Sequence, residues 1–64
     1  MPKYVLGTNI RIKWDSPSPY RGNTGIIIKV IDHEFISVYD VKLDSHPNYL
    51  PSSNRFLESD LEPA

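Results

Sequence analysis

The order of apolar and polar residues along the 64-residue chain predicts short strands rather than helices. From Thr8 to Trp14, Ile10, Ile12 and Trp14 alternate with Asn9, Arg11 and Lys13. A period of two places the first set, Trp14 included, on the core face of a strand and the second set in water. Ile26 to Ile31 is apolar in both phases and interrupted only by Lys29, which predicts a central strand. Asp32-His33-Glu34 is a polar break of hairpin length. Phe35 to Asp44 predicts a third strand or strand pair, with Phe35, Tyr39, Val41 and Leu43 in one phase and Ile36 and Val38 in the other. Apolar residues in both phases at its start predict a bend or bulge near Ser37 that swaps faces. Arg55-Phe56-Leu57 supplies a short closing strand, and Ser59-Asp60-Leu61-Glu62 reads as a capped single turn with Leu61 pointing inward.

Two loops separate these strands. In the first, Asp15 to Asn23, Pro17 and Pro19 stiffen the chain. Gly22 and Gly25 bracket Asn23-Thr24, so a positive φ is expected at one of them at least. Gly7 suits a bend ahead of the first strand. The second loop, Ser45 to Asn54, contains His46-Pro47-Asn48-Tyr49-Leu50-Pro51. The six prolines, at 2, 17, 19, 47, 51 and 63, leave windows dominated by β-branched and aromatic residues, so no helix longer than about two turns is expected. The expected fold is all-β, one domain over residues 1–64, a five-stranded half-open barrel with a Pro-rich first loop and a short C-terminal turn.

Composition narrows the partners. Lys3, Arg11, Lys13, Arg21 and Lys29 face only Asp15 in residues 1–30, a local net charge of +4. After residue 30, Lys42 and Arg55 face seven carboxylates, a net charge of −5. Overall the charge is −1, unlike the basic balance usual in a dedicated nucleic-acid binder. With no cysteine, disulfides and thiolate zinc sites are excluded. No apolar run reaches the length of a membrane span, and the first residues do not form a signal peptide, so a cytoplasmic protein with no membrane insertion is expected.

Catalytic chemistry has few carriers here. His33 sits between two acids in a predicted turn, and His46 has only Asp44 nearby. The serines lack a base or a Gly-x-Ser-x-Gly elbow, and Gly22-x-x-Gly25 is too short to cradle phosphate. No enzyme activity, no cofactor and no metal site are expected. The candidate binding residues are Lys13, Tyr20, Arg21, Asn23 and Tyr49, together with a basic stripe formed by Arg11, Lys13, Arg21 and Lys29.

The succession LGTNIRIKW, YRGNTGIIIKV, VYDVKLD and FLESDLEP resembles the SH3-like small-barrel families over nearly the whole chain. Tyr20-Arg21-Gly22-Asn23-Thr24-Gly25-Ile26-Ile27 is similar to the basic-aromatic turn of KOW modules in ribosomal proteins and transcription elongation factors. That likeness implies contact of Tyr20, Arg21 and Asn23 with RNA or a partner protein. Gly7-x-x-Ile10-Arg11-Ile12, Val41-Lys42-Leu43-Asp44, Asn48-Tyr49 and Phe56-x-Glu58-x-x-Leu61 resemble photosystem I reaction-centre subunit IV, although the Pro-rich loop and the longer second hairpin depart from it. Pro19-Tyr20-Arg21-Gly22-x-x-Gly25 and Tyr39-x-Val41-Lys42 resemble the nitrile hydratase β subunit, and the closing acidic-Leu-acidic motif resembles the ferredoxin–thioredoxin reductase variable chain. These resemblances imply a non-catalytic accessory or adaptor module that docks on a larger protein assembly, a redox or enzyme complex among the candidates, through its first loop; by itself the chain is expected to be a monomer. The alternative they imply is a KOW-like module binding RNA or the ribosome and transcription machinery.

Overall fold

The computed structural model describes residues 2–44 and 55–64. Five antiparallel strands form one sheet: β1 (Asn9–Ile12), β2 (Thr24–Asp32), β3 (Ser37–Leu43), β4 (Arg55–Leu57) and β5 (Leu61–Pro63). Their spatial order is β4-β3-β2-β1-β5, so the expected central strand does lie at the centre. The edge strands β4 and β5 are joined only by a 3₁₀ turn, Glu58–Asp60. Two opposite edges linked by three residues require the sheet to curl strongly.

Period-two alternation builds the core. Ile10 and Ile12 of β1, Tyr39, Val41 and Leu43 of β3, Phe56 of β4 and Leu61 of β5 all point inward, and Tyr4 joins them from the N-terminal arm. In cross-strand register, Ile12 meets Leu61, Ile27 meets Val41, and Tyr39 meets Phe56. Gly25 lies inside as well, because a Cβ there would stand 2.7 Å from the Lys42 carbonyl and 2.8 Å from Val41 Cγ1. The arm is tied down through polar atoms. Tyr4 N–H donates to the Tyr39 hydroxyl (3.2 Å), which donates to Glu58 Oε1 (2.7 Å), and that oxygen also accepts from Lys3 N–H (2.7 Å).

Four sequence expectations change. The bulge lies between Ile27 and Lys29, not near Ser37. The extra residue lets Ile27 and Val30, three apart, both pair with inward positions of β3, which strict alternation forbids. Phe35 and Ile36 belong to the β2–β3 hairpin loop, so Phe35 is 92% exposed instead of sharing the core phase of Tyr39. The C-terminal turn is shorter than predicted, and Leu61 opens a fifth strand against β1 while still burying its side chain. Trp14, expected in the core, is 72% exposed. β1 ends at Ile12, and Lys13 N–H turns to the Asp60 carbonyl, so the alternation stops before it reaches Trp14.

On the outer face Asp40 stands in register between Lys29 and Arg55. Its carboxylate is fully buried and takes a fork of hydrogen bonds from Arg55, Nε to Oδ1 at 2.8 Å and Nη2 to Oδ2 at 3.3 Å. Bidentate pairing of this kind satisfies a charge that burial would otherwise penalise.

Candidate protein-docking surfaces

The first loop is built by its own sequence. Pro17 and Pro19 have no N–H, so Ser16-Pro17-Ser18-Pro19-Tyr20 leaves donors only at alternate residues. Ser18 N–H donates to Ser16 Oγ (3.2 Å), and Tyr20 N–H donates to Ser18 Oγ (3.1 Å). Each serine closes a small turn across a proline. Further on, Arg21 N–H reaches the Ser18 carbonyl and Asn23 N–H the Tyr20 carbonyl, while Gly22 N–H and the Asn23 carbonyl pair with Ile12. The loop is thereby a folded object with few free backbone donors.

At its base sits Trp14. Gly22 has φ of +85°, and a Cβ added there would lie 2.4 Å from Trp14 Cζ2, so the indole rests against the glycine backbone. The ring is held in place and still largely in water. Arg21, the residue before Gly22, is exposed, and Lys13, the residue before Trp14, is half-buried. Tyr20, the aromatic the sequence favoured, is half-buried and packs against the core. Asn23 is half-buried and acts through its backbone. Tyr49, His46 and the rest of the loop predicted over residues 45–54 lie outside the described residues.

The four cations of the expected stripe are not equivalent. Arg11 is opposite Thr24 and pairs with Glu62 at 3.6 Å. Lys29 is exposed and lies five residues further along β2 from Thr24, on the order of 15 Å at strand rise, opposite Asp40. Lys13 and Arg21 accompany Trp14 at the first loop.

A second surface was not legible as a site. The loop between β2 and β3, together with the end of β4 and the 3₁₀ turn, walls an open groove of about 570 Å³. Phe35, Ile36 and Leu57 line it and are exposed, and Asp32, Glu34 and Glu58 stand around them. Alternation assigns Phe35 to the start of the third strand, so the sequence carries no sign of this surface. The 3₁₀ turn links the two surfaces, since the Asp60 carbonyl accepts Lys13 N–H while Glu58 and Ser59 line the groove.

Electrostatics near the 3₁₀ turn are set by Glu58. The Tyr39 hydroxyl, then Lys3 N–H, hold its carboxyl below the usual 4.5. Burial, and then the hydrogen bond to Glu58, push the Tyr39 phenol above its usual 10.0. Among the described residues no group of three or more His, Cys, Asp or Glu is gathered to hold a metal ion, and no helix is long and apolar enough to cross a membrane. No protein-family model matches the chain, and neither curated proteins nor solved structures yield a match.

Proposed function

We propose that this chain is an SH3-like, non-catalytic adaptor module that docks on a larger protein assembly through its first loop, with Trp14 as the anchor. The sheet order β4-β3-β2-β1-β5, with its two edges joined by one 3₁₀ turn, supports the barrel reading. The observation that carries the docking reading is Trp14 itself, 72% exposed yet seated on Gly22 in a loop already ordered by its serines and prolines. A large aromatic held still in water loses little entropy on binding and buries much area, the usual makings of an interface hot spot. Arg21 and Lys13 beside it select an acidic partner surface. The partner class this reading names is a subunit of a redox or metallo-enzyme complex, the setting of the barrels it resembles.

The second reading, a KOW-like contact with RNA, draws on the same Trp14 and Arg21, since an exposed indole beside a guanidinium is also a stacking platform for a base. The test is a pull-down from host lysate with the wild type and the double variant Trp14→Ala, Arg21→Ala. The double variant loses a protein partner while keeping the wild-type melting temperature, because neither side chain is part of the core. Generic RNA binds no tighter than the non-specific range of about 10⁻⁴–10⁻⁶ M at physiological salt. RNA binding tighter than about 10⁻⁷ M, steeply salt-dependent and lost in the double variant, decides for the second reading.

A further inference from the structure

The groove beside the β2–β3 hairpin has a composition that names its ligand. Phe35 is 92% exposed, Ile36 47% and Leu57 43%. Exposed apolar residues are ordinary singly, but here three line one concavity. Phe35 does nothing for the fold: it lies outside the core cluster, at a turn tip whose backbone needs no special residue, since no non-glycine φ is positive among the described residues. The loop is nonetheless closed, with His33 N–H donating to the Ile36 carbonyl at 2.9 Å. Phe35 is thus presented from a defined base.

Around these residues stand Asp32, Glu34 and Glu58, with His33 between the first two, and among the described residues no lysine or arginine lines the groove. Among the described residues neither Asp32 nor Glu34 forms a salt bridge, the two ion pairs being Arg11–Glu62 and Arg55–Asp40. Glu58 is engaged by the Tyr39 hydroxyl and Lys3 N–H, so the rim charge open to a ligand is chiefly that of Asp32 and Glu34. Ser37 Oγ donates to Asp32 Oδ1 at 3.4 Å, which leaves the Asp32 charge uncompensated. An apolar floor with a rim of acids that no cation neutralises among the described residues disfavours nucleic acid and acidic surfaces and complements a segment that is both apolar and cationic.

We infer that this groove binds a short protein segment in which arginine or lysine alternates with aliphatic or aromatic residues, Phe35, Ile36 and Leu57 taking the apolar side chains and Asp32 and Glu34 the cations. The site is separate from the first loop and does not depend on the reading of Trp14.

The test uses the full chain and three fluorescent synthetic peptides, alternating arginine–leucine, arginine–serine and glutamate–leucine, followed by anisotropy. The arginine–leucine peptide binds at least about tenfold more tightly than either control, as expected when anchor and charge both contribute. Phe35→Ser weakens it about tenfold or more, and Glu34→Lys weakens it while improving the glutamate–leucine peptide. Asp32→Asn with Glu34→Gln weakens it and flattens its salt dependence. Trp14→Ala with Arg21→Ala leaves it unchanged, so failure here and failure of the first-loop reading are distinguishable. Equal binding of the arginine–serine peptide, or indifference to both Phe35→Ser and Glu34→Lys, overturns the inference. So does sedimentation showing that the wild type self-associates and Phe35→Ser does not, because a second copy would then cover the groove.

Discussion

Gly22 shows how much one residue carries. Its φ of +85° disfavours any side chain, and the Trp14 ring occupies the space a Cβ would need. Gly22→Ala should therefore destabilise the protein by about 1–2 kcal/mol and displace the indole, measured by urea denaturation and by the shift of tryptophan emission. Trp14→Ala, by contrast, should leave stability nearly unchanged, since its side chain is mostly in water. Glu58 makes a different prediction. Its carboxyl titrates lower in the folded protein than its ordinary 4.5, so the unfolded chain binds the proton more readily. The stability this contributes is present above about pH 4.5 and is lost as pH falls through the lower folded value. Tyr39 has the opposite window: its contribution holds below about pH 10 and fades as pH rises through the raised folded value. Glu58→Gln should flatten the acid limb of melting temperature against pH, and an unchanged limb would show that other carboxylates dominate it.

At the scale of elements, the strand positions were legible wherever alternation is clean. β1 ends two residues before its expected limit, and β3 keeps its predicted core phase in Tyr39, Val41 and Leu43. The bulge was misplaced because Ile26-Ile27-Ile28 and Phe35-Ile36 both offer apolar residues in two phases, and only pairing with β3 tells them apart. β5 was legible as a buried Leu61 but not as a strand, since three residues carry no periodicity. Leu61→Ala removes a side chain that is 2% exposed at the β1–β5 contact, and about 2–4 kcal/mol is the expected cost. In a domain this small that is most of the stability, so the variant should be largely unfolded at room temperature by circular dichroism. Arg55→Ala deprives the buried Asp40 carboxylate of its fork and should cost about 1–3 kcal/mol in chemical denaturation.

Across the whole molecule, the charge asymmetry of the sequence acquires two addresses. The cations beside Trp14 belong to the first loop, and carboxylates from the second half surround Phe35 in the groove. On the two proposals above, an acidic surface and a basic segment would be met at separate places that adjoin through the 3₁₀ turn. Raising salt should weaken both interactions only partly, because each also rests on an aromatic residue whose burial is not screened. A binding curve that collapses with salt at either surface would show charge alone at work there.

The sequence by itself determined that this is an all-β chain with a stiff first loop, a central β2 and a glycine of positive φ after the prolines. These follow from local rules, the two-residue period and the backbone limits of proline and glycine, and they act between near neighbours. It also marked Arg21 and the polar break at Asp32-His33-Glu34. Which aromatics are buried was decided only by tertiary structure. Trp14 follows the phase of Ile10 and Ile12 in the sequence but falls outside the ladder, whereas Tyr4, in no periodic segment, is held inside by Tyr39 and Leu61. The groove was likewise invisible, since Phe35 and Leu57 are 22 positions apart and meet only when β4 pairs with β3. Alternation reports which residues share a face, but long-range pairing decides where that face stops.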